Sequence, residues 1–177
     1  MTTDQCIDVM QNEVLKPIIT KTYEATKTAF KIVTNVNQIM YDMELEFQHI
    51  FSSLSEEFED FRGLDESSFN EKVDVCYHHF ISNALNLLAD YSVKLNDECI
   101  IMNENMEILS AQPSMIPYVQ NAFAFGKRRI FEVTMGGLAI VAKPLGITEN
   151  QITKTLKDKI DERMKSKRKQ GDDKNED

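Results

Sequence analysis

Apolar residues over the first 113 positions recur by threes and fours. From Val33 the series runs Val33, Val36, Met40, Met43, Phe47, Ile50, Leu54, Phe58 and Phe61, the spacing of one helical face sustained over about eight turns. An upstream stripe at Leu15, Ile19, Tyr23, Phe30 and Val33 has similar steps, with polar Thr26 filling one place. Joining the two stripes needs a phase shift, which predicts a bend or local unwinding at Val33–Val36. Pro17 cannot donate a backbone hydrogen bond, so the segment before it is expected as a separate short helix or across a kink. Arg62-Gly63-Leu64-Asp65 ends this first region, because glycine just past a helix supplies a left-handed cap.

Ser68-Phe69-Asn70-Glu71 has the form of a capping box and predicts the start of a second long helix. Its stripe is Phe69, Val73, Cys76, Phe80, Ala84, Leu87, Tyr91, Leu95, Cys99, Met102, Met106 and Leu109, ending at Ser110-Ala111-Gln112-Pro113. A hinge is expected near Asn96-Asp97-Glu98, whose residues are modest helix formers. The short turn at Gly63 makes antiparallel pairing of the two rods the natural arrangement. The stripes are wide in places, as at Ile50 with Phe51, which suits a bundle interior better than a strict two-stranded coiled coil. Intermolecular pairing of a long face remains the competing use of the same pattern.

The segment from Ile116 to Ile147 carries Gly126, Gly136, Gly137 and Gly146 among dense apolar residues. Helix is predicted from Tyr118 to Ala142, with Val119, Phe123, Phe125, Ile130, Phe131, Val133, Met135, Leu138, Ile140 and Val141 spread around too much of the circumference for an exposed surface. The expectation is that neighbouring helices envelop it. Gly136-Gly137 predicts a close contact or a break. Thr148-Glu149-Asn150-Gln151 is a further capping box, opening a last helix with Ile152, Leu156, Ile160 and Met164 on one face. The expected fold is all-α: an elongated bundle with two long antiparallel helices and a shorter C-terminal helical pair. Its single domain would span 1–165, with a disordered charged tail over 166–177.

Composition narrows the function classes. The chain has 177 residues, a net charge of −9, three cysteines and no tryptophan, a length compatible with one domain and one core. Cys6, Cys76 and Cys99 are too scattered for a disulfide framework, and the N-terminal residues lack a basic start followed by an apolar run. Both point to an intracellular setting, cytoplasmic by preference. Residues 1–113 carry 20 acids and 7 bases, whereas 114–170 carry 5 acids and 12 bases. The two halves can neutralise each other internally, or the basic half can face an anionic membrane or nucleic acid. The weakly charged run Ile130–Ile147 is interrupted by Glu132 and Lys143 and broken at Pro144, unlike an ordinary spanning helix.

The chemistry-bearing patterns are mostly incomplete. A phosphate loop would need glycine where Asn121 stands and a hydroxyl where Arg128 stands. Glu46 and His49 form the Glu-x-x-His step of di-iron bundles, but no second step occurs. Cys76 and His79 lie one helical turn apart and would need a third ligand such as His49 to hold zinc. No catalytic residue, cofactor, metal or small-molecule substrate is inferred. Leu85-Asn86-Leu87-Leu88-Ala89-Asp90 resembles the leucine-x-x-x-small-aspartate step of the apoptosis-regulator bundle family, and Arg128 followed eight residues later by Gly136-Gly137 is similar to that family's central hairpin. The aromatic-glycine pair before the arginine is lacking and the long first helix has no counterpart in it, so the chain is not assigned to that family.

The reading that follows is a non-catalytic helical interaction or scaffold protein, able to associate with itself or a protein partner. The alternative is a peripheral membrane or lipid-binding protein using 118–147 and the basic last helix. Candidate contact residues for a membrane or partner are Phe123, Phe125, Lys127, Arg128, Arg129, Lys154 and Lys157. Nucleic acid is the less favoured partner. The run Lys165-Ser166-Lys167-Arg168-Lys169 could serve as a nuclear address.

Overall fold

A computed structural model describes residues 1–175, with side-chain environments through Asp172. The described chain is helical from end to end, in the order α1 (Thr3–Val9), a π-helical stretch (Met10–Leu15), α2 (Lys16–Glu59), α3 (Glu66–Glu104), α4 (Met106–Leu109), α5 (Met115–Glu132), a second π-helical stretch (Val133–Leu138), α6 (Ala139–Ala142), a 3-10 turn (Lys143–Leu145) and α7 (Glu149–Asn175). The architecture is all-α, two long antiparallel helices with shorter helices packed along them.

Cross-helix partners fix the directions. Phe58 meets Tyr77, Glu57 meets Cys76, Glu46 meets Tyr91 and Asn35 meets Glu98, so α3 runs back along α2. Phe30 meets Tyr118 and Glu44 meets Arg129, so α5 runs with α2. Asn86 meets Lys159, Asp90 meets Arg163 and Asp97 meets Lys167, so α7 runs with α3. These directions make an up-down-up-down four-helix bundle with short connections.

The threes-and-fours pattern does place the core. Ala29, Ile32, Val33, Val36, Met40 and Met43 of α2 are buried against Phe80, Ala84, Leu88, Tyr91 and Leu95 of α3. From α5 onward Val119, Phe123, Gly126, Ile130, Thr134, Leu138 and Ala142 form the buried row. Four consecutive steps of four would swing a row about 160° around an α-helix. The wider π turns at Val133–Leu138 absorb that drift and keep Leu138 and Ala142 on the core side. Gly137 lies in this stretch beneath the Phe47 ring, so the glycine pair marks both a change of helix type and a close approach. Thr134, the buried polar residue of this row, donates its hydroxyl to the Ile130 carbonyl at 2.8 Å.

Several local expectations are corrected. The second helix begins at Glu66, because Asp65, not Ser68, is the cap: its carboxylate accepts from the Ser68 backbone N–H at 2.7 Å. That hydrogen bond holds the Asp65 carboxyl below its usual range. The break falls at Asn105 instead of near Asp97, where Asn105 leaves helical geometry and donates its side-chain amide to the Ile101 carbonyl. Val33–Val36 lies within unbroken α-helix, since both residues are buried on the face shared with Ala29 and Met40. Gly63 turns the chain with φ of 87° as expected. Helix continues through the charged tail to Asn175, where every side chain from Lys165 to Asp172 is exposed and Lys167 reaches Asp97. Glu176 and Asp177 of the expected tail lie outside the described residues.

Candidate functional site

Exposed large apolar side chains gather on the N-terminal arm. Thr2 caps α1 through its hydroxyl to the Gln5 N–H, and Gln5 answers to the Thr2 N–H at 2.8 Å, a capping box at the free end. Pro17 enters at the start of α2, and the π stretch just before it carries a Lys16 N–H to Gln11 carbonyl bond. Widening the turn there lets the helix pass the proline without ending. A continuous helix therefore runs from Thr3 into the bundle, where the sequence had left open a separate short helix or a kink.

Among the described residues, positions 1–21 are all exposed and Thr22 is only partly buried. Cover on α2 comes from α3, whose end at Glu104 lies near residue 30 in the antiparallel register, and from α4 and the Met115 turn just beyond. Ala25 is the first buried residue. Upstream of it, Ile7, Met10, Val14, Leu15, Ile18, Ile19 and Tyr23 are all exposed, the last three at 56%, 67% and 65%. Ile18 is seven residues before Ala25 and fourteen before Ile32, so it continues the core-facing side of α2 past the end of the bundle. Of the two uses open to the upstream stripe, a bundle interior and intermolecular pairing, the fold leaves Leu15, Ile19 and Tyr23 outside the bundle interior, while Phe30 meets Tyr118.

The seven residues read as contacts do not form one site. Phe123 is core, buried on α5. Arg129 turns inward, donating through Nε to Glu44 at 2.9 Å and through a terminal nitrogen to Glu132 at 3.0 Å, and these carboxylates raise its already high pKa. Arg128 lies over the Phe125 ring at 5.6 Å and 3.6 Å from Glu132. Phe125, Lys127, Lys154 and Lys157 are exposed, on α5 and α7. The enveloped segment expected over 118–142 is half right: one side is core, while Phe125, Phe131 and Ile140 face outward, the last two at 62% and 73%. A row buried in steps of three and four uses one side only, and no further helix among the described residues covers the other.

Charge asymmetry is spent in part inside the fold. Lys159 donates to Asn86, Arg163 to Asp90 at 2.6 Å, and Lys167 pairs with Asp97, joining basic α7 to acidic α3. A groove of about 620 Å³ runs between these helices, lined by Asp90, Lys94, Lys159, Glu162, Arg163 and Lys167. Asp90 thus pairs with Arg163 and Arg128 with Glu132, so the two motif positions noted in the sequence do not meet.

The fold brings Cys76 and His79 together but leaves His49 elsewhere. Cys76 and His79 share a cleft of about 110 Å³ with Glu57, while His49 lines a different surface with Leu45 and Leu87. Cys76 Sγ donates to Glu57 at 2.9 Å. Burial first, then the Glu57 carboxylate, push its thiol up to about 11, which disfavours the thiolate a nucleophile or ligand needs. Among the described residues no group of three or more His, Cys, Asp or Glu side chains is placed to hold a metal ion. No single helix among them is long and apolar enough to cross a membrane.

The class these features define is a four-helix bundle with a projecting amphipathic arm. Compared with known proteins, the chain matches no protein family, no curated protein and no solved structure.

Proposed function

We propose that this protein is a non-catalytic helical interaction or scaffold protein whose bundle presents the arm, residues 1–24, to a protein partner in coiled-coil fashion. One observation carries the reading: the core-facing side of α2 continues through Ile18 into an arm where it has no cover. Lone helices of this length are marginal in water, and most helical stability in proteins comes from packing an amphipathic face. The setting proposed is intracellular, where Cys6, Cys76 and Cys99 persist as thiols.

The test compares the wild-type chain with Ile18→Glu/Ile19→Glu in affinity purification from native lysate. The wild type is expected to retain a partner in near-stoichiometric amount, and the variant to lose it at unchanged circular dichroism. Equal recovery by both proteins refutes the arm as the contact, as does recovery by neither when the wild-type chain is also a monomer in sedimentation equilibrium.

A second reading, binding to an anionic membrane surface, is favoured by the outward row Phe125, Arg128, Phe131 and Ile140. Liposome co-sedimentation at two salt concentrations separates the readings. Binding to phosphatidylserine vesicles alone, weakened by salt and abolished by Phe131→Ser/Ile140→Ser, supports the membrane.

A further inference from the structure

The arm is polar along its length in charge as well as amphipathic in section. Its first half carries Asp4, Asp8 and Glu13 and no base. From residue 16 to 31 the chain carries Lys16, Lys21, Lys27 and Lys31 against Glu24 alone. Net charge passes from −3 over residues 1–15 to +1 over residues 16–24 of the arm, and reaches +3 with Lys27 and Lys31 where the bundle begins. None of these side chains has an ion-pair partner within the described chain, whereas bases of α5 and α7 do.

A helix with this polarity complements a copy of itself laid antiparallel. Parallel alignment would set three acids against three acids and lysines against lysines, repulsion at every turn. Antiparallel alignment sets acid against base twice over, related by a twofold axis, and an isologous contact closes at two copies. With the axis between Val14 and Leu15, Met10 lies opposite Ile19, Val14 opposite Leu15 and Cys6 opposite Tyr23, while Ile7, Val9 and Ile18 face Thr22, Thr20 and Gln11. Bundles then lie at opposite ends of the paired arms and do not collide. Accordingly we infer that the arm's partner is a second copy of this chain, its arm antiparallel across a twofold near Val14 and Leu15. This rests on the arm being the contact surface.

Exposed Cys6 reports the orientation. In the antiparallel pair Cys6 of one copy lies beside Tyr23 of the other, and the two Cys6 residues stand roughly 25 Å apart along the arms, beyond disulfide reach. In a parallel pair they adjoin. The experiment uses the full chain with Cys99→Ser, leaving buried Cys76 in place, and combines sedimentation equilibrium with mild oxidation. The expected result is a dimer that forms no Cys6–Cys6 disulfide, while Tyr23→Cys forms a covalent dimer. Asp4→Lys/Asp8→Lys/Glu13→Lys is expected to weaken the dimer at least about tenfold, and further change of Lys16, Lys21 and Lys27 to Glu to restore it. A concentration-independent monomer, a Cys6–Cys6 disulfide, or a charge-reversed variant of undiminished affinity each overturns the inference. A monomer that still loses a different lysate partner on Ile18→Glu/Ile19→Glu would sink the second copy alone and leave the arm as the contact.

Discussion

At Gly126 α5 packs closely against side chains of both long helices, and its substitution series tests the packing directly. A Cβ built there would stand 3.3 Å from Cδ1 of Leu95 and 3.5 Å from Sδ of Met40. Both neighbours are ends of flexible side chains, so alanine requires them to yield only a few tenths of an ångström. Replacing glycine in a helix interior gains about 1 kcal/mol in propensity. Displacing a side chain from its rotamer costs about 0.5–1.5 kcal/mol, so Gly126→Ala is expected to lie within about 1 kcal/mol of wild type. Gly126→Val adds two methyl groups with no void to take them and is expected to destabilise by about 2–3 kcal/mol. Removing the obstruction should change the sign: in a Leu95→Ala background, itself weakened by about 2–5 kcal/mol, Gly126→Ala should stabilise by close to its full propensity. Urea unfolding followed by circular dichroism gives all four free energies, with constant m-values as the check on two-state behaviour. A harmless Gly126→Val, or additive effects of the Leu95 and Gly126 changes, would refute the close approach of α5.

Two further tests concern polar groups in the bundle. Tyr91 is buried with its hydroxyl 2.7 Å from Glu46, and burial followed by that carboxylate raises its pKa well above the ordinary value near 10. Burial and Glu57 likewise raise Cys76 from 9.0 to about 11. A folded state that holds these protons more tightly than the unfolded chain is stabilised fully below pH about 9 and loses that contribution as pH rises through the folded values. Unfolding free energy is therefore expected to fall above pH about 9, less steeply in Tyr91→Phe, which itself should cost about 1 kcal/mol at neutral pH. A profile in urea unaltered by that substitution would count against the buried phenol. Arg129→Ala removes a pair that is still a third exposed, so its cost at low salt should be about 0.5 kcal/mol and should shrink in high salt. A salt-independent loss above 2 kcal/mol would show that Arg129 acts through packing instead.

Much of this bundle was written in the residue order. Steps of three and four from Val33 to Leu54 and from Cys76 to Leu109 located buried faces on both long helices, and Gly63 located their turn, because helical period and a left-handed turn are local constraints. The arm too left a trace. Thr2 and Gln5 spell its cap, and α2 alone has 44 residues against 39 for α3, so a hairpin turning at Gly63 leaves the first rod too long for its partner.

What only the tertiary structure decided is which apolar side meets which neighbour. Ile19 and Val33 belong to one rod and to similar stripes, yet one is bare and the other buried, because cover ends where α3 and α4 end. Phe123 and Phe125 are two residues apart with opposite fates, and Arg128 and Arg129 adjoin but face Phe125 and Glu44 respectively. Local spacing sets the angle of a side chain about its own axis. Whether another helix stands at that angle depends on the lengths and register of distant segments, a quantity fixed only when all four rods are laid together.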